Sequence, residues 1–177
     1  MYETNNDLSE TTRRSVIEIL NEHLADAIDL QLQAKQAHWN INGPNFVGLH
    51  ELFDQVAAQA RDYADQIAER GVALGGVAYG TLQAVSRRTQ LREYPLEVGD
   101  WRSHVQAMRD ALATFGRGVR KAIDDTTALH DADTADLFTE VSRGVDKSLW
   151  MVEAHVQDTS AAAQPANPSV SRGASRS

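Results

Sequence analysis

His50 and Asp54 stand four residues apart, and so do Asp65 and Glu69. On a helix each pair shares one face. Imidazole and carboxylate are donors for divalent first-row metals, so each pair is a two-point attachment for such an ion. The two pairs cannot serve one ion within a single straight helix. Asp54 and Asp65 are separated by roughly 16 Å of helix, whereas metal–ligand bonds are about 2 Å long. A shared ion therefore needs the second pair from another copy of the chain, with two copies of the same helix antiparallel about a two-fold axis. His38 lies just before the turn that leads into that helix, where an antiparallel neighbour aims it toward the His50 end. Acidic residues at this spacing are also common on solvated helix faces, so spacing alone leaves both readings open.

The rest of the composition narrows the chemistry. Cysteine is absent from the 177 residues, which excludes disulfides, thiolate nucleophiles and Cys-ligated zinc or iron–sulfur sites. None of the six histidines has a glutamate three residues before it. The Glu-x-x-His signature of a di-iron centre inside one bundle is thus missing. The formal net charge is −8, which suits cations and argues against binding nucleic acid or anionic lipid through the overall field. The first residues lack the basic and apolar parts of a secretory signal, and no apolar run is long enough to span a bilayer. A cytoplasmic protein with no membrane partner is expected.

The elements that must position these residues are helices. Apolar residues repeat at three and four from Val16 to Ala34, and Ser9 is placed to cap the start. A helix from Ser9 to Trp39 would be roughly 46 Å long. The residues from Asn40 to Asn45 make a turn. A second helix is expected over Leu49–Arg70, ending near Gly75-Gly76. The connection from Gly76 to Gly99 is long, with room for a short helix over Gly80–Arg88. Asp100 caps a third helix running to about Ile123, in which Gly116 and Gly118 have no local explanation. Asp133 or Thr134 starts a fourth. Four long helices without a strand pattern, and a long crossover between the second and third, predict an all-α ferritin-like four-helix bundle. The expected organisation is a short flexible N-terminal segment over 1–8, the bundle over 9–157, and a flexible Ala/Ser/Pro-rich tail over 158–177.

Several motifs then coincide. They are Lys35-Gln-Ala-His38-Trp39-Asn40, Gly43-Pro-Asn-Phe46, His50-Glu-x-x-Asp54 and Asp65-x-x-x-Glu69-Arg70. They continue through Gly75-Gly76, Tyr94-Pro95-Leu96, Asp133-Thr-Ala-Asp136 and Asp146-Lys147-x-Leu-Trp150. Together, over about residues 10 to 157, they resemble the Dps family, the miniferritins named for DNA binding in starved cells.

The resemblance implies a hollow twelve-subunit cage, a homododecamer, with ferroxidase sites at two-fold interfaces. His38, His50 and Asp54 match the ligands from one subunit, and Asp65 and Glu69 those from its neighbour. Lys35 and Trp39 match positions flanking the ligands, where Trp39 is either a radical-quenching electron donor or a packing residue. The implied reaction oxidises Fe(II) to Fe(III), two irons per site, with hydrogen peroxide preferred over dioxygen. Peroxide takes two electrons to become water, and two Fe(II) held together supply both. Zinc, manganese or cobalt are substitutes that the same donors accept. Two histidines and three carboxylates leave the second iron weakly held.

Asp131, Asp133 and Asp136 fall at the start of the last long helix, where acidic residues also serve as caps. The resemblance places Asp136, and with it Asp131 and Asp133, in a three-fold pore that admits Fe(II). DNA is the rival partner. Relatives that bind it often use a lysine-rich N-terminal extension, but residues 1–15 here carry one net negative charge. The contact expected instead is the C-terminal tail, through Arg172 and Arg176.

Overall fold

The computed structural model describes residues 1–157, and the tail with Arg172 and Arg176 lies outside them. The described residues form five helices and no strand: α1 (Glu10–Asn40), α2 (Phe46–Ala73), α3 (Leu82–Arg88), α4 (Trp101–Ala128) and α5 (Ala132–Glu153). The four long helices form the bundle. α1 packs chiefly on α2 and α4 on α5, while α3 lies on α1 within the crossover. Among the described residues no helix is long and apolar enough to cross a membrane.

The core follows the three-and-four periodicity. Leu20, Leu30, Leu49, Phe53, Ile67, Met108, Phe115 and Phe138 are essentially inaccessible to solvent. Truncating one of the phenylalanines to alanine costs about 3–5 kcal/mol. Gly116 now has an explanation, because a Cβ there would sit 3.3 Å from Val145 Cγ1 where α4 meets α5. The Gly118 carbonyl accepts a 3.0 Å hydrogen bond from Nε2 of buried His23. Gly144 lets α5 approach α2, since a Cβ there would fall 1.8 Å from Tyr63 Oη.

Helix ends differ from the periodicity reading for physical reasons. Ser9 caps α1 as expected, accepting from Thr12 N at 3.1 Å. α2 starts at Phe46 rather than Leu49, because Gly48 lies on an open surface where a small residue in the first turn loses no packing. It ends in a Schellman turn: Gly75, at φ +85°, donates to Val72 O and Gly76 to Gly71 O. α4 continues past Ile123 to Ala128 because Thr126 returns its hydroxyl to Ala122 O at 2.7 Å, keeping a β-branched polar residue within the helix. It closes on a second Schellman turn with His130 at φ 61°.

α5 starts at Ala132, just before the expected Asp133 or Thr134, and Asp131, one of the acidic residues placed to cap it, is its N-cap. Its carboxylate accepts from Thr134 N and from Thr134 Oγ1, at 3.1 and 2.5 Å. Segment 1–8 meets the end of α2 through its backbone. Tyr2 N donates to Gly75 O at 2.7 Å, and Arg13 bridges Leu8 O and Leu74 O.

The crossover is fastened along α1 by buried polar side chains. Asn21 Nδ2 donates to Val77 O and its Oδ1 accepts from Tyr79 N. Asp26 accepts from Gln90 N at 2.6 Å. Gln33 donates to Arg92 O at 2.9 Å. These bonds fix the register of a long connection that has little regular structure of its own.

Candidate metal centre

The turn Ile41–Asn45 folds α2 back against α1 and brings His38 and His50 together. Gly43, at φ +95°, allows this turn. The two imidazoles stack with centroids 3.7 Å apart and planes 24° apart. Each ring is held by the other residue's backbone: His38 Nδ1 donates to His50 O at 2.7 Å, and His50 Nδ1 donates to His38 O at 2.8 Å. A carbonyl only accepts, so the hydrogen resides on Nδ1 in both rings. With the hydrogen on Nδ1, Nε2 is the ring atom left available as a ligand. Metal-binding histidines characteristically have this partner on the other nitrogen. Phe46 supports His50 from one side, at 5.0 Å between ring centroids.

Asp54 follows one turn after His50. Lys35 Nζ donates to Asp54 Oδ1 at 2.6 Å. That hydrogen bond, with the lysine charge behind it, holds the Asp54 carboxyl below the usual carboxylate range. The carboxylate is therefore ionised and ready to bind a cation. Lys35 also sits 5.6 Å from the ring centre of Trp39. Trp39 is 66% exposed in the single chain, so packing inside its own subunit is not its role.

Asp65 and Glu69 are exposed on the later turns of α2, away from this cluster. Among the described residues of one chain, no group of three or more His, Asp or Glu comes together to hold an ion. One chain thus carries the stacked His38/His50 pair with Asp54 one helical turn further on, and Asp65/Glu69 toward the other end of α2.

The residues near the start of α5 divide. Asp131 is 2% exposed and bonded to Arg70 Nη2 at 2.7 Å, so its carboxylate is consumed as cap and ion-pair partner. Asp133 and Asp136 are exposed. Arg70 itself was visible in the sequence only as the residue following Glu69. Its guanidinium also donates to Thr134 Oγ1 at 2.9 Å, joining the last turn of α2 to the first turn of α5.

Comparison with known proteins identifies the family. A profile of the ferritin-like domain matches residues 17–162. The chain is 48% identical over 159 residues to a DNA protection during starvation protein of Agrobacterium fabrum, spanning 90% of this chain and 98% of that one. The structure of Mycobacterium smegmatis Dps in a tetragonal form superposes with a TM-score of 0.85 at 31% identity, covering 89% of this chain and 96% of that one. Dps from Microbacterium arborescens in its high iron form gives a TM-score of 0.79 at 32% identity, covering 84% and 96%. By sequence and by fold, the chain belongs to the Dps family of ferritin-like proteins.

Proposed function

We propose that this chain is a cytoplasmic miniferritin that oxidises Fe(II) at sites shared between subunits and keeps the ferric product inside a dodecameric cage. The observation that carries this reading is the reciprocal His38–His50 pairing, which dedicates two Nε2 atoms to a ligand beside an ionised Asp54. Asp65 and Glu69 of a neighbouring subunit complete the donor set, as the helix-length argument requires. The relative from Microbacterium arborescens, described in a high iron form, supports iron as the substrate.

The chemistry is a two-electron reduction of peroxide by two Fe(II). Two Fe(II), one hydrogen peroxide and two protons give two Fe(III) and two water molecules. The protein's part is to hold two cations close enough that both electrons are delivered together. One isolated Fe(II) would supply one electron and release hydroxyl radical. Lys35 keeps Asp54 ionised, and the paired backbone bonds keep both imidazoles in the ligating tautomer. The donor set also accepts zinc, manganese or cobalt, which would occupy the site without the same redox chemistry.

Asp133 and Asp136 are the pore carboxylates in this reading, and Asp131 serves the fold. The double substitution His50→Ala/Asp54→Ala tests the site, because it removes fast Fe(II) oxidation while leaving the assembly intact. Unchanged kinetics in that variant would refute the assignment. DNA compaction is the second reading, favoured by the name of the Agrobacterium relative. Here it rests on Arg172 and Arg176 of the tail, since segment 1–8 is held against Gly75.

A further inference from the structure

Tyr94 and His104 form a buried pair between the crossover and α4. Tyr94 Oη lies 2.5 Å from His104 Nδ1, and the two residues are 7% and 1% exposed. His104 Nε2 has no partner. If the phenol donates to Nδ1, the only group left over is the Nε2 hydrogen. The reverse arrangement would leave both the phenolic hydrogen and the Nε2 lone pair unmatched. Tyr94 O–H is therefore the donor and His104 Nδ1 the acceptor. Burial pushes the Tyr94 phenol up to about 12 and the His104 imidazole down, so both partners are neutral at rest.

A phenol bonded to a neutral imidazole is a proton-coupled electron donor. Removing one electron makes the phenol strongly acidic, and the base beside it takes the proton without any atom moving far. Tyr63 provides the contrast. Its phenol is also raised to about 12 by burial, but the charged groups acting on it are Glu140 and Asp62, with no imidazole among them.

The pair adjoins the end of the bundle that carries His38 and His50. His104 lies one helical turn after Trp101, whose Cδ1 is only 3.1 Å from where a Cβ on Gly43 would stand. Gly43 belongs to the turn joining the two helices that carry those histidines. On the other side, Gln33 holds Arg92 O, two residues before Tyr94 and about 7.5 Å of helix before His38.

We propose that Tyr94 and His104 act as a one-electron reservoir for peroxide reduction when only one Fe(II) occupies a site, an inference that rests on the ferroxidase reading above. Fe(II) gives one electron and Tyr94 gives the second. Hydrogen peroxide takes both with two protons from solvent and becomes two water molecules. The phenolic proton moves to His104 Nδ1, leaving a neutral tyrosyl radical beside an imidazolium. A later Fe(II) returns the electron, the proton moves back to Tyr94, and a second Fe(III) is formed. Two irons arriving in sequence thus supply the same two electrons as two held together. That arrangement suits a site whose second iron is weakly held.

The test uses the assembled full-length protein with less than one Fe(II) per site, mixed with hydrogen peroxide and freeze-quenched for electron paramagnetic resonance. Ferric iron is measured in the same samples. The expected result is a protein radical whose splitting changes when the protein carries ring-deuterated tyrosine. The signal falls to background in Tyr94→Phe, persists in Tyr63→Phe, and is diminished in His104→Gln. A radical that survives Tyr94→Phe at full strength, or that is insensitive to tyrosine deuteration, overturns the proposal. So does ferric iron formed with no protein radical. The absence of ferric iron in the wild-type protein overturns the ferroxidase reading, and this inference with it. The deuterated wild-type sample keeps the test decisive if a substitution impairs folding.

Discussion

Arg70 and Asp131, sixty-one residues apart in sequence, meet at 2.7 Å with side-chain exposures of 16% and 2%. This buried ion pair fastens the end of α2, which carries Asp65 and Glu69, to the cap of α5, which carries Asp133 and Asp136. It joins the two acidic regions through the fold rather than through solvent.

The pair separates a structural carboxylate from accessible ones. Asp131→Ala removes a cap and strands a buried guanidinium, which costs about 3–5 kcal/mol in chemical denaturation. Asp136→Asn, at an exposed position, leaves stability within about 0.5 kcal/mol of wild type and slows iron uptake. If Asp131→Ala costs under about 1 kcal/mol, the ion pair is not the clamp described. If Asp136→Asn takes up iron at the wild-type rate, that carboxylate does not guide cations.

The two donor sets of α2 yield a complementation experiment. Subunits with Asp54→Ala mixed with subunits with Glu69→Ala regain part of the lost activity. In a mixed pair one shared site carries both lesions and the other carries neither. Absence of rescue after verified co-assembly would mean that the donors do not come from different chains.

A pH dependence follows from Asp26. Burial raises its carboxyl from an ordinary 3.8 to about 6, against the lowering effect of its bonds from Gln90 and Thr89. A raised folded value stabilises the protein below pH 3.8, and that stabilisation is lost as pH rises through 6. Above pH 6 the ionised group is a net burden of up to about 3 kcal/mol. Asp26→Asn keeps an acceptor for Gln90 N and carries no charge. It should be more stable than wild type at pH 8, with the advantage gone by pH 4. His23 and His104, both lowered by burial, act in the opposite sense and destabilise the fold as pH falls below 6.5, but equally in both proteins. Parallel stability curves for wild type and Asp26→Asn would rule out this role for Asp26.

Removing residues 158–177 leaves iron uptake unchanged and abolishes any electrophoretic shift of DNA, because Arg172 and Arg176 go with them. A shift that survives the truncation places the DNA contact on the folded bundle.

Much of the architecture was legible because local periodicity encodes it. The run from Val16 to Ala34 specifies a buried helix face without reference to anything distant. Helix ends were less legible where a partner decides them. Asp131 was legible as a cap of α5, but not as the partner of Arg70, which arrives from another helix. The anchoring of segment 1–8 runs through a main-chain bond from Tyr2 to Gly75, and composition carries no record of such a bond. At the site, the i, i+4 spacing revealed that His50 and Asp54 share a face. The mutual backbone bonds of His38 and His50 could not be read, because they depend on how the Gly43 turn closes. The Tyr94–His104 pair likewise depends on where the crossover crosses α4.

The central claim is a cage that oxidises iron and keeps it. Purified protein is loaded with Fe(II) without oxygen, given hydrogen peroxide at half the iron concentration, and passed through a sizing column with ferric absorbance recorded. The account predicts ferric iron co-eluting with a species near twelve times 19.5 kDa. Colourless protein with the ferric iron left as precipitate would contradict it.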